Sequence, residues 1–379
     1  MNTPSILPFV HAQGTWSDIG QQVGAMLAPL IARHVEAWTR HVIDETGASR
    51  SAILAAASSF RAPIQAHAPF LWDELEGMVR GSGVPIAELL LLQARAEVLR
   101  AQRSTPSDAV RAATECTTFA VGGRRTAAGV LFGQNVDLAP FVEEFGVIVR
   151  QYPKGAPSAL LYTSAGLLGH NGLNEAGVGI CANFVGDPAG WGEGLPRYLL
   201  SRLALSQDSA AAALEAALAP PRAASRNLLI AGDDGTFIDA ECLRDRVGVL
   251  RAADDMLVHA NHLEAPDLAC LETPTENSLC RRRRLAELIA SAPAPLTVED
   301  IRTFYRDHAN APHSLCAHPF EGRNVKTVAS VVGDLTAREL HVAKGSPCLQ
   351  PYATYTLATC RTGALSVTVR DAMPTFPAP

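Results

Sequence analysis

One discontinuity constrains this chain more than any other feature. Up to about residue 100 the apolar residues recur with a helical period. From Cys116 onward they gather in short β-like runs. Between them lies 103–115, which is polar, contains Pro106 and has no period. In the first part, Ile19, Val23, Met26, Leu27, Leu30, Ile31, Val35 and Trp38 keep a spacing close to 3.6 and predict a helix over 18–43. Further helices are expected at 52–60, 71–79 and 87–99, the last two split by Gly81-Ser82-Gly83-Val84-Pro85. In the second part, strands are expected at 117–121, 129–132, 147–152, 159–163 and 177–184, then at 228–231, 236–238, 247–250 and 256–259, and finally at 327–332, 339–343 and 353–357. Helices are expected at 198–218, 279–290 and 297–307. Strand clusters around a helical middle predict an α+β protein whose sheets pack against helices, not a regular βαβ alternation. The expected organisation is a helical segment 1–115 followed by a strand-rich segment 116–379.

Composition narrows the function. The chain has 379 residues, nearly half of them apolar, so it can bury a large core, and its net charge of -6 offers no footprint for nucleic acid. The only basic run, Arg281-Arg282-Arg283-Arg284, falls in a helical pattern and reads as a solvated face. No apolar run approaches the roughly 20 residues of a membrane span, and the first residues lack the charged start of a secretory signal, so a cytoplasmic location is expected. The eight cysteines, at 116, 181, 242, 270, 280, 316, 348 and 360, form no Cys-x-x-Cys pair and read as reduced thiols. Neither a G-x-G-x-x-G nor a Walker pattern occurs. His259, His262 and Cys270 fall short of a zinc ligand set, and Cys316 between His313 and His318 is too local for a Cys–His catalytic pair, so no metal and no cofactor is expected. The loop Gly186–Gly194 reads as a surface loop able to border a pocket.

Cys116 differs from the other cysteines in standing where the polar stretch meets a strand, in Glu115-Cys116-Thr117-Thr118. If the bond between Glu115 and Cys116 is cut, the new chain begins with a thiol and an α-amine on one residue. The amine, with a pKa near about 8, can take the thiol proton at neutral pH, so one residue supplies nucleophile and base. Gly133-Gln134-Asn135-Val136-Asp137 follows closely, and an Asp there can hold an amine by a charge-assisted hydrogen bond. Cys181-Ala182-Asn183-Phe184 and His259-Ala260-Asn261-His262 each place an Asn at a strand end, able to donate to an oxyanion. Ser278 and Arg281 open the next helix.

In this order the motifs resemble the acyl-coenzyme A:isopenicillin N acyltransferase family, the C45 peptidase-like acyltransferases, which is related to choloylglycine hydrolases and penicillin V acylase. The resemblance runs over nearly the whole chain, including Ile19-Gly20, Gln93-Ala94-Arg95-Ala96-Glu97, Asn171-Gly172-Leu173-Asn174-Glu175-Ala176-Gly177, Ser225-Arg226-Asn227, Asp307-His308 and Ser314-Leu315-Cys316. It implies a four-layer αββα sandwich of the N-terminal-nucleophile hydrolase type and self-cleavage between Glu115 and Cys116. It implies Cys116 as nucleophile and base, Asp137 holding the amine, Asn261 donating to the oxyanion and Asn183 assisting. Gln134, Asn135, Ser278, Arg281 and His259 are supporting candidates. The substrate implied is a small N-acyl amide, with an acyl-CoA donor as the alternative and an inactive scaffold as a further one. The expected partners are the chain's own cleaved fragment and further copies of itself. Three positions depart from the family pattern: Glu115 stands where Gly is common, Gln134 where the bile-salt relatives carry Arg, and Leu279 after Ser278 where Arg is common, with Arg281 a substitute nearby.

Overall fold

The computed structural model describes residues 6–103, 115–127, 129–252, 254–357 and 367–369. Cys360 and most of the polar stretch after residue 103 lie outside them. Among the described residues the strands are, in chain order, β1 Phe9–Gly14, β2 Glu115–Val121, β3 Leu131–Leu138, β4 Gly146–Pro153, β5 Ala159–Ser164, β6 Asn171–Asn174, β7 Val178–Asn183, β8 Arg226–Gly232, β9 Phe237–Cys242, β10 Val247–Arg251, β11 Met256–His259, β12 Lys326–Asp334, β13 Glu339–Lys344, β14 Tyr352–Thr356 and β15 Val367–Val369. One sheet runs β1-β4-β5-β6-β7-β8-β9-β10 and the other β11-β2-β3-β12-β13-β14-β15.

The sheets face each other through β2 and β3 against β7 and through β12 and β13 against β6. The first sheet is covered by helices α1 Trp16–Thr46, α7 Arg197–Leu205 and α8 Ala210–Leu218, the second by α9 Glu276–Ser291 and α10 Val298–Tyr305. The architecture is the expected αββα sandwich. Alternation along β2 sorts its side chains between layers, because successive residues of a strand point to opposite faces. Ala120 joins the core between the sheets, while Phe119 and Val121 pack under α9 and α10 with Leu285, Ile289, Ile301 and Tyr305.

The N-terminal part is built into this sandwich. Thr15 and Asp18 form a capping box that starts α1, and Gly47 ends it in the left-handed conformation at φ 70°. The remaining helices of this part are α2 Arg50–Ser58, α3 Arg61–His67, α4 Pro69–Ser82, α5 Ile86–Gln93 and α6 Arg95–Ala101. α1 and α4 cross at near backbone contact: a Cβ on Gly20 would sit 1.9 Å from the Glu74 carbonyl oxygen, and one on Gly77 would sit 2.1 Å from that of Ser17. Gly24 and Gly81 repeat the contact one turn on. β1 pairs in parallel with β4, Phe9 opposite Ile148 through Gly14 opposite Pro153. Gln93 donates to the Gly166 carbonyl at 2.7 Å and accepts from the Leu168 N–H at 3.0 Å.

The structure corrects three sequence expectations. The first hundred residues are not all helical, since β1 opens them. The helix expected at 87–99 breaks at Ala94, and the one at 198–218 is interrupted before Ser209, whose side chain caps α8 through the Ala212 N–H. No helix among the described residues is long and apolar enough to cross a membrane.

Candidate active site

Cys116 is the second residue of β2, opposite Val136 of β3, and Glu115 lies opposite Asp137. The bond between Glu115 and Cys116 is therefore held inside a β-ladder rather than in a loose loop. The thiol is buried, with Cys116 only 5% exposed. Burial and the neighbouring Asp137 charge push it up to about 11, against hydrogen bonds from the Asp137 backbone and the Gln134 side chain that favour the thiolate. The continuous chain thus holds a protonated thiol there.

Two long-range elements close on the Cys116 backbone. Its N–H donates to Asn261 Oδ1 at 2.8 Å, and its carbonyl accepts from Arg281 Nη1 at 2.6 Å. The same guanidinium donates to Thr117 Oγ1 at 2.6 Å, to Asn277 Oδ1 at 2.7 Å and to Asn261 Oδ1 at 2.8 Å. Two donors on Asn261 Oδ1 fix the amide's orientation. Its Nδ2 then donates to the Phe184 carbonyl at 2.9 Å and has one proton left.

The local sequence explains why α9 delivers these groups. Thr275 caps the helix through the Ser278 N–H, which places Ser278 in the first turn and Arg281 three residues on, on the same face. Ser278 Oγ accepts from the Asn261 N–H at 2.8 Å and lies 2.8 Å from His262 Nδ1. The arginine run is accordingly not one solvated face. Arg281 turns inward and is 1% exposed, while Arg282 and Arg284 pair with Glu264 and Asp307 nearer the surface. Leu279, which follows Ser278, is 44% exposed, so the guanidinium at the site belongs to Arg281.

Asp137 is fully buried, with Oδ1 accepting from Thr327 Oγ1 at 2.7 Å and Oδ2 without a hydrogen-bond partner among the described residues. Burial raises its carboxyl to about 7, against the opposing pull of Arg281 and Thr327. Gln134 and Asn183 approach from the inter-sheet side. Gln134 Nε2 donates to the Ala182 carbonyl at 2.7 Å and lies 3.4 Å from Asn183 Oδ1, and Asn183 Nδ2 donates to Thr118 Oγ1 at 3.0 Å. Asn135 points to the opposite face and is consumed by the Tyr305 and Leu315 carbonyls at 3.0 and 2.9 Å. His259 stands behind the site, 2.9 Å from Glu241 Oε1. Burial opposes its charge, but Asp239, Glu241 and Glu264 outweigh that and push it up to about 9. The Glu241 contact thus favours the protonated ring.

A feature missed in the sequence is a cationic cluster where α6 and α7 meet the first sheet. The guanidinium carbons of Arg95 and Arg226 lie 4.0 and 4.4 Å from the Tyr198 ring centre, with Arg197 at 5.3 Å. All three arginines are buried, and Arg95 Nη2, Arg197 Nε and Nη1 and Arg226 Nη2 have no hydrogen-bond partner among the described residues. The cluster lies within electrostatic reach of Cys116. Arg95, Arg197 and Tyr198 line a small cavity with Leu99 and Leu138. The loop Gly186–Gly194 does border open clefts: Trp191 and Gly192 face Phe60 in one, and Gly192 to Gly194 face Phe60 and His67 in another.

Comparison with known proteins gives the family. Residues 124–348, more than half of the chain, match the family model described as acyl-coenzyme A:6-aminopenicillanic acid acyl-transferase. That span contains Asp137, Asn183, Asn261, Ser278 and Arg281 and begins after Cys116. A relative from Emericella nidulans, the acyl-coenzyme A:6-aminopenicillanic-acid-acyltransferase 40 kDa form, is 25% identical over 344 residues, covering 89% of this chain and 92% of that protein. Among solved structures, penicillin V acylase from Agrobacterium tumefaciens aligns at a TM-score of 0.45 and 12% identity over 66% of this chain and 90% of its own. A mutant conjugated bile acid hydrolase from Clostridium perfringens aligns at 0.46 and 11%, over 67% of this chain and 97% of its own. The chain belongs to the acyl-coenzyme A:6-aminopenicillanic acid acyl-transferase family of enzymes.

Proposed function

We propose that this protein is an autoproteolytically activated cysteine amidohydrolase, cut between Glu115 and Cys116 and acting on N-acyl amides through an acyl-cysteine intermediate. The observation that carries the reading is the convergence of Asn261 and Arg281 on the backbone of Cys116, at 2.8 and 2.6 Å, beside an orphaned Asp137 oxygen. In the uncut chain the Cys116 nitrogen is an amide and cannot serve as a base. Asp137 takes that role: its carboxylate draws the thiol proton, the sulfur adds to the Glu115 carbonyl carbon, the C–N bond breaks onto the protonated nitrogen, and water hydrolyses the resulting thioester. After the cut the Cys116 amine is the base for substrate turnover, held by Asn261 Oδ1.

The pH dependence of maturation follows. Asp137 with a carboxyl near 7 is mostly protonated at pH 5 and mostly ionised at pH 8. Self-cleavage of freshly refolded chain should rise roughly tenfold per pH unit from 5 and level off near 7. A rate still climbing tenfold per unit above pH 8 would mean that direct ionisation of the thiol, pushed up to about 11, sets the rate instead.

The three arginines around Tyr198 favour a substrate that carries a carboxylate, because unpaired buried guanidinium N–H groups are costly and an anion satisfies them. Residues 1–115 remain bound as a small subunit, since β1 and the Gln93 contacts survive a cut at 115. The test is product analysis. Mature enzyme given an N-acyl amino acid should release acid and amine, and should be slower by roughly 10-fold or more on the matching carboxamide. Acyl-CoA with free amine giving mainly new amide would make the protein an acyltransferase, and no product from either would leave it an inactive scaffold.

A further inference from the structure

We propose that His308, Cys316, His318 and Cys348 form a structural zinc(II) site, tetrahedral and closed to substrate. The four residues come from separate places: the turn after α10, the segment leading into β12, and the turn after β13. Their Nε2 and Sγ atoms converge. Cys316 and Cys348 Sγ are 3.5 Å apart, His318 Nε2 lies 3.6 Å from the first and 3.4 Å from the second, and His308 Nε2 lies 3.1 Å from His318 Nε2. All four ligand atoms fall within 4.8 Å of one another.

The separations around His318 and between the sulfurs are close to those a tetrahedral metal requires. Bonds of about 2.3 Å to sulfur and about 2.0 Å to nitrogen give tetrahedron edges of roughly 3.3 to 3.8 Å. Of the six edges, three at 3.4 to 3.6 Å lie inside that range, the His308–His318 edge at 3.1 Å lies just under it, and the two from His308 to the sulfurs lie within 4.8 Å. The sulfurs are too far apart for a disulfide, whose bond is about 2.05 Å. Two thiols and two imidazoles without a carboxylate select zinc over calcium or magnesium, and four protein ligands leave no open position for catalysis.

The position gives the site a purpose. Ala317, between two ligands, donates its N–H to Thr327 Oγ1 at 2.9 Å, and Thr327 Oγ1 donates to Asp137 Oδ1 at 2.7 Å. A metal clamping 316–318 to Cys348 fixes the support of Asp137 from behind. The sequence conceals this, because the ligand order His-x7-Cys-x-His with a fourth ligand 30 residues on matches no common zinc spacing.

The test uses the full chain, in wild type and in the Cys116→Ala background, expressed in zinc-supplemented medium and freed of loosely held metal by gel filtration. Mass spectrometry of metal content should find about one zinc per chain, falling below about a tenth in Cys348→Ser and in His308→Ala and unchanged in Cys242→Ser, a buried thiol of the other sheet. Should the variants not fold, cobalt(II) added to chelator-treated wild type decides the matter, with the intense visible absorption of tetrahedral cobalt thiolate expected at one equivalent. Wild type without stoichiometric metal and without that absorption, or with a Cys316–Cys348 disulfide in non-reducing peptide maps, overturns the proposal. The metal count is independent of whether the chain is cut or active, so it fails or stands apart from the amidohydrolase reading.

Discussion

Replacing Cys116 by Ala is expected to leave a single uncut chain and to lower turnover by about 10⁴-fold or more, the scale on which loss of a nucleophile removes covalent catalysis. The effect should be this large because one residue carries both jobs. Without the sulfur the Glu115 carbonyl is not attacked, so the amine that should act as base is never released. The variant should still fold: Cys116 supplies β2 with backbone pairing to Val136, and that ladder is untouched. Its cost is local, since the Asp137 N–H loses the sulfur it bonds and a buried unpaired donor is worth about 1 to 3 kcal/mol. Intact mass, N-terminal sequencing and a thermal melt separate these effects. Wild type should give a new chain beginning Cys-Thr-Thr. A Cys116→Ala protein that is folded and yet cut, or folded and active, would remove Cys116 from the chemistry altogether. Cys116→Ser sharpens the test, because an oxygen in the same place should cut slowly and show whether the Asn261 and Arg281 grip on the backbone survives.

Much of this arrangement was legible in the sequence, and the parts that were not have physical reasons. The helix-to-strand change placed the start of β2 within two residues, and α1 followed from its apolar stripe. β1 was missed because six residues with only Val10 and Ala12 buried among their apolar members carry little pattern, and their pairing partner β4 lies some 140 residues away. Within the site, Cys116, Asp137, Asn183 and Asn261 fall together, whereas Gln134 and Asn135 could not be told apart. Every residue of β3 is buried, so the strand shows no inside-outside alternation to read. Only the second sheet's packing reveals that Gln134 faces β7 and Asn135 faces α10. Arg281 was among the supporting candidates even though the run of four arginines around it reads as a solvated face. What the run concealed is that Arg281 alone turns inward, on the face it shares with Ser278 in a helix that Thr275 caps. The cluster around Tyr198 joins Arg95, Arg197 and Arg226 from three elements, a proximity that no local spacing encodes.

Asn261 carries the second large effect, and its geometry allows two roles to be pulled apart. Its Oδ1 holds the Cys116 nitrogen and Arg281, while its Nδ2 has one proton beyond the bond to Phe184. Asn261→Ala removes both and should lower kcat by roughly 10² to 10³. Asn261→Asp keeps an oxygen for the amine and for Arg281 but replaces the donor by a second acceptor. If Asn261 stabilises the oxyanion, the Asp variant should be as slow as the Ala variant with KM little changed, because the lost hydrogen bond forms only as charge develops on the substrate oxygen. If it serves only to hold the amine, the Asp variant should keep most of its turnover, with the added negative charge raising the pH at which the amine deprotonates. Measuring kcat against pH for both variants on enzyme already cut distinguishes the two, and equal kcat in wild type and Asn261→Ala would take Asn261 out of the site.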